Sequence, residues 1–148
     1  MAYAYLRLGD GYRDNANPAK AVGAYKQSLK LDPSKLDAWE GSGLAYLELK
    51  QNFAAFLAFN AYLAHARNNA SVWCNLGICW RNMGCLTAAM NCYRHALRLN
   101  PKLTAARFNL CLIYLRLHMF GDAIGEYLKL QHQAPELARQ LEPIIVSK

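Results

Sequence analysis

Trp73, Gly77, Trp80, Ala89, Tyr93 and Pro101 form a pattern of large and small residues that returns at a fixed offset of 34 in both directions. The shift carries Trp73 onto Trp39, Gly77 onto Gly43, Trp80 onto Tyr46 and Tyr114, Ala89 onto Ala55 and Ala123, and Tyr93 onto Phe59 and Tyr127. One more step back reaches Gly9, Tyr12, Ala21 and Tyr25, and whole multiples of the offset carry Pro101 onto Pro33 and Pro135. This period constrains the fold more than composition does. Each unit is one supersecondary piece that cannot bury its own apolar face, so successive units must stack. The spacing predicts four tandem units, about 2–35, 36–69, 70–103 and 104–137, with a capping tail at 138–148, forming a single repeat domain over 1–148.

Within a unit both halves read as helices. Trp73, Leu76, Gly77 and Trp80 recur at i, i+3, i+4 and i+7, one face of a 3.6-residue period, and Leu86, Ala89, Met90, Tyr93, Ala96 and Leu97 repeat it. The second helix stops at Asn100-Pro101, because the residue before proline is disfavoured in the helical region. Gly77 with Ala89, like Gly43 with Ala55 and Gly9 with Ala21, removes bulk where the paired helices cross, and the aromatic residues fill the space around that crossing.

The order Trp73, Leu76-Gly77, Trp80, Ala89, Tyr93, Ala96, Pro101 resembles the signature of the tetratricopeptide repeat family across almost the whole chain. The resemblance implies an all-α fold, a right-handed superhelical solenoid of antiparallel helix pairs. It also implies a concave groove, lined by the first helices, that holds a peptide or helix of a partner protein. The expected function is therefore a protein-protein interaction module acting as adaptor, chaperone or assembly factor. The alternative is a targeting or scaffold domain of a larger enzyme or complex, cut from a longer chain.

Four departures from the pattern carry their own expectations. Ser42 replaces the leucine found as Leu8, Leu76 and Leu110, and its hydroxyl can bond a carbonyl one turn back. Cys111 takes the glycine place. Arg67 stands where three other units have proline, so Asn68-Asn69 is expected to supply a left-handed terminating residue. In the tail, Leu137 and Leu141 at i and i+4 predict one short helix over the exposed face of the fourth unit, limited by Pro143.

Charge and residue chemistry narrow the function. The net +7 is distributed as +3, −1, +4 and 0 over the four units and +1 in the tail, a pattern suited to attracting acidic protein segments. Most aromatics are committed to packing, so no nucleic-acid partner is expected. No segment has the roughly 20 apolar residues of a membrane helix, and the amino terminus does not resemble a signal peptide. With five cysteines, an odd number lacking any CxxC pair, the expected location is cytoplasmic, with neither metal nor cofactor. No Walker loop, GxSxG or HExxH occurs, and His65, His95, His118 and His132 form no acid-base-nucleophile set, so no enzyme is expected.

If Trp73, Leu76, Gly77 and Trp80 face the packing partner, the opposite side of the same helix is the groove. It presents Asn75, Ile78 and Arg81, followed one unit on by Asn109, Leu112 and Arg116. Asn75 and Asn109 can each satisfy a peptide unit of a bound strand, Phe108 and Leu115 add apolar pockets with Ile78 and Leu112, and the arginines favour acidic ligand residues. This resembles the asparagine ladder of some long arrays, interrupted here by Arg7 and Gly41. Asp10, Asp14, Asp37, Glu40 and Glu48 in the first two units give the groove a polarity, with the basic part of a ligand towards the first unit. The family's two-carboxylate clamp would place its residues at Leu6, Asp10, Gly41, Ser71 and Asn75, or one unit later at Glu40, Leu44, Asn75, Ala105 and Asn109, and only Asn75, in the second alignment, fits. Acidic carboxyl-terminal peptides of large chaperones should accordingly give no isotherm in calorimetry. Finally, Phe53 to Ala66 has no charged side chain on its outer face, and Leu57, Ala61 and Ala64 are candidates for contact with another surface, a second copy of the chain included.

Overall fold

The computed structural model describes residues 1–147. Four antiparallel helix pairs follow one another: α1 (Ala2–Asp14) with α2 (Pro18–Leu31), α3 (Leu36–Glu48) with α4 (Asn52–His65), α5 (Ala70–Asn82) with α6 (Leu86–Leu99), and α7 (Thr104–Arg116) with α8 (Phe120–Gln133). Two short helices, α9 (Pro135–Arg139) and α10 (Glu142–Val146), complete the chain. The pairs stack into a right-handed superhelical solenoid, with α3, α5 and α7 each packed between the second helix of its own unit and that of the preceding one.

The small residues act as expected where helices cross. A Cβ on Gly43 would lie 2.5 Å from the Phe59 ring, and one on Gly77 would lie 2.7 Å from Tyr93. Both rings are fully buried against the bare glycine backbone. In the fourth unit the Cys111 thiol occupies that space and donates to the Ala123 carbonyl at 3.3 Å. Tyr127, the fourth-unit counterpart of those rings, is correspondingly only half-buried.

Three details differ from the sequence expectations. Ser42 Oγ is buried with no hydrogen-bond partner among the described residues, so the bond to the carbonyl one turn back does not form. Asn69 has φ −105° and caps the start of α5, accepting from the Val72 amide at 3.2 Å, rather than ending α4 in a left-handed conformation. Pro143 lies in the first turn of α10, where its missing amide hydrogen leaves no helical bond unmade, so the tail is two helices instead of one.

Left-handed residues occur instead inside each unit, at the turn between its helices. Ala16, Lys50, Gly84 and His118 have φ of 55°, 60°, 85° and 59°, one per unit at the same register. This places His118 in the turn before α8. Only glycine adopts this conformation without a Cβ penalty. Lys50→Gly is expected to raise stability by about 0.5 to 1 kcal/mol, because the relief of that penalty exceeds the added chain entropy; denaturant titration checks the sign.

Trp39 Nε1 donates to the Pro33 carbonyl at 2.8 Å, and Trp73 Nε1 donates to the Arg67 carbonyl at 2.7 Å. Each bond ties a first helix to the segment that leads into it. In the fourth unit Arg107 holds the equivalent place and donates from Nη2 to the Pro101 carbonyl at 2.8 Å. It also donates to Gln133 Oε1 at 3.0 Å and pairs with Glu126 while only 6% exposed. Of the five cysteines only Cys85 is exposed, and all are free thiols. Burial raises the thiols of Cys74, Cys92 and Cys111 to about 11 and that of Cys79 to about 12.

Candidate peptide-binding groove

The first helices α1, α3, α5 and α7 stand side by side, and their shared face is the groove. Arg13 on α1 pairs with Glu48 on α3 at 3.4 Å. Arg81 on α5 donates to Asn109 Oδ1 on α7 at 2.7 Å. These cross-links join neighbouring units through side chains of their first helices.

At the first two units the groove contains a cleft of about 380 Å³ between α1 and α3, with Asp10, Arg13, Asp37 and Glu40 among its walls. Its geometry follows from Gly41. A Cβ there would lie 2.5 Å from Tyr25 Cζ, and the bare backbone lets the Tyr25 ring pass between Gly9 and Gly41 so that its hydroxyl donates to Asp10 Oδ1 at 2.8 Å. Burial, and then the bond to Asp10, push the Tyr25 hydroxyl up to about 12. The interruption of the asparagine ladder at Gly41 thus has a packing cause that the linear sequence does not display. Burial and then the neighbouring Asp37 raise the Glu40 carboxyl above its ordinary value. Arg7 pairs with Asp10 at 3.2 Å, so part of the acidic charge in this half is already balanced.

At the third and fourth units Asn75, Ile78, Arg81, Phe108, Asn109 and Leu112 are half-buried, with Ile78, Phe108 and Leu112 packed against the core cluster, and Arg116 is exposed. Asn109 accepts from Arg81 at Oδ1 and its amide also bonds the buried Cys74 thiol, while the Arg81 guanidinium meets a neutral acceptor that leaves its charge uncompensated. Among the described residues no carboxylate lies within 4 Å of Arg81 or Arg116. Leu115 requires a correction. It is 4% exposed and belongs to the same apolar cluster as Ala138 and Leu141, so it is core and cannot offer an open pocket. Leu141 lies two offsets beyond Trp73, so the tail places a large apolar residue at the register of Trp39 and Trp73. On the outer wall Leu57 and Ala64 are exposed and Ala61 is half-buried.

No group of three or more metal-ligating side chains is found among the described residues, and no helix is long and apolar enough to cross a membrane. The repeat period, the glycine-aromatic crossings and the groove define a helical-repeat interaction protein. The chain belongs to the tetratricopeptide repeat family, whose models match residues 6–71 and 70–103. Among curated relatives, human Tetratricopeptide repeat protein 6 is 31% identical over 137 residues, covering 91% of this chain and 26% of that protein. Anaphase-promoting complex subunit 3 of Schizosaccharomyces pombe is 25% identical over 136 residues, covering 92% of this chain and 20% of that protein. The chain thus spans about a quarter or a fifth of these relatives' length. The crystal structure of MamA superposes with a TM-score of 0.88 at 22% identity, covering 94% of this chain and 81% of that one. YrrB, described as a TPR protein with an unusual peptide-binding site, gives 0.81 at 22% identity, covering 91% and 70%. These likenesses establish the fold, and with the family they make the chain a protein-interaction module.

Proposed function

We propose that residues 1–148 act as one repeat domain that holds a segment of a partner protein along the groove of the first helices, as an adaptor, chaperone or assembly factor in the cytoplasm. The observation that carries this reading is the opposite character of the two groove halves. Asp37 and half-buried Glu40 lie at one end, while Arg81 and Arg116, without carboxylate partners among the described residues, lie at the other. A ligand with acidic residues towards the fourth unit and basic residues towards the first satisfies both ends, and Ile78, Phe108 and Leu112 supply apolar contact between the charges. Asn75 and the Asn109 amide hydrogen not directed at Cys74 then bond peptide units whatever the ligand sequence.

Selection from a displayed random-peptide library tests the polarity, since the expected consensus carries acidic and basic residues at opposite ends. At about 1 kcal/mol per net hydrogen bond, Asn75→Ala with Asn109→Ala should weaken the selected peptides roughly tenfold or more at unchanged helicity. A consensus without charge polarity, or full affinity in the double variant, would place binding elsewhere.

A further inference from the structure

The outer wall carries a second feature that the groove does not use. Two pairs of successive second helices, α2 with α4 and α6 with α8, are separated by a cleft floored by the first helix between them, at the registers of Trp39 and Arg107. The cleft between α6 and α8 is polar, with Arg94, Arg98, Arg107, Glu126 and Lys129 in its walls. The cleft between α2 and α4, of about 320 Å³, is walled by Leu29, Trp39, Tyr46, Ala54 and Leu57, with Lys26 at its rim. Ser42 also lines it, at the position where α5 and α7 bury Leu76 and Leu110. Ser42 is 3% exposed and its hydroxyl has no partner among the described residues. A buried hydroxyl left unpaired is costly where leucine would fit the same array. Replacing leucine by serine therefore both leaves room in the cleft and leaves one polar atom at its base unmet.

What surrounds the cleft restricts what can enter it. Phe53 and Leu57 are 63% and 53% exposed, and with Ala61 and Ala64 they form an apolar line along α4 of about 16 Å at 1.5 Å per residue. No carboxylate occurs anywhere in α2, α4 or α6, whereas α2 exposes Lys20, Lys26 and Lys30 and α6 exposes Arg94 and Arg98. Among the described residues, none of the three lysines is within 4 Å of a carboxylate. A second copy placed face to face on this wall would set cations against cations. A helix with an apolar stripe and acidic flanks meets both the line along α4 and the bordering charges.

We infer that the cleft between α2 and α4 is a second docking site, independent of the groove, for an acidic amphipathic helix of a partner protein. A tyrosine in the apolar stripe of that helix seats its ring between Trp39, Tyr46 and Leu57 and brings its hydroxyl to Ser42 Oγ.

A synthetic helical peptide of about 18 residues, long enough to lie along α4, tests this. It has leucines at i, i+4 and i+11, a tyrosine at i+7 and glutamates on both flanks, and its binding is followed by fluorescence anisotropy. The expected result is saturable binding that weakens as salt rises, falls at least about tenfold in Ser42→Leu and in Leu57→Glu, and persists in Asn75→Ala with Asn109→Ala. Because leucine is the residue of three other units, Ser42→Leu should keep the fold, as circular dichroism would verify. Replacing the probe tyrosine with phenylalanine should weaken binding to the native chain but not to Ser42→Ala. The inference is overturned by absence of binding to the native chain, by equal affinity for Ser42→Leu, or by sedimentation showing a dimer that Leu57→Glu dissociates. A failure confined to Asn75→Ala with Asn109→Ala would place the probe in the groove and overturn the second site while leaving the groove reading intact.

Discussion

Replacing Arg107 with alanine is expected to destabilise the array by about 3 to 5 kcal/mol, read as a lower midpoint in urea. The guanidinium is buried and serves three acceptors at once: the Pro101 carbonyl, Gln133 and Glu126. Removing it leaves the Glu126 carboxylate, 16% exposed, with only the longer 3.7 Å pair to the exposed Lys129 in place of its buried cation. The repeat pattern supplies a sharper control. Arg107 stands where Trp39 and Trp73 stand, and Glu126 stands where Ala24, Ala58 and Cys92 stand. Arg107→Trp with Glu126→Ala should therefore recover most of the loss, because an indole at this position can donate to the Pro101 carbonyl as Trp39 does to Pro33. An additive outcome, with the double variant no better than Arg107→Ala, would show that the ion pair does not couple the two sites.

Truncation after Ala134 is expected to cost at least about 3 kcal/mol, within the range for emptying a buried leucine site, and to promote aggregation. Leu141 is fully buried and Ala138 nearly so, both in one cluster with Leu110, Leu115 and Leu130. Without the tail those leucines become the exposed end of an unfinished stack. Leu141→Ala should show a large part of the same loss with the rest of the tail in place, which separates burial from chain length. Unchanged thermal melting in both variants would mean that the tail does not cap the array.

Helix pairing was legible because a 34-residue period repeats residue size, and size governs how closely helices approach. Spacing places Gly43 with Ala55 and Gly77 with Ala89 at the crossings, and the rings that lie against those glycines are Phe59 and Tyr93. Features depending on conformation or on a change of residue type were hidden. The left-handed turn is written as glycine only at Gly84, so Ala16, Lys50 and His118 gave no signal individually, although their common register with Gly84 could have revealed it. Arg107 was hidden because a cation had taken over the donor role of an indole. Leu115 was misplaced because α7 is apolar on nearly every side, and helical phase alone could not separate its groove face from the face covered by the tail.

The bonds from Trp39, Trp73 and Arg107 to the carbonyls six residues before them have a mechanical consequence. Each acts as a latch across a joint between units, so bending the superhelix at those joints must stretch a hydrogen bond as well as slide apolar surfaces. At the next joint the same register holds Leu141, which has no side-chain donor to offer the Pro135 carbonyl. Under tension the chain should behave as a spring with three stiff joints and a compliant one at its carboxyl end, and extension should begin by peeling the tail from the fourth unit.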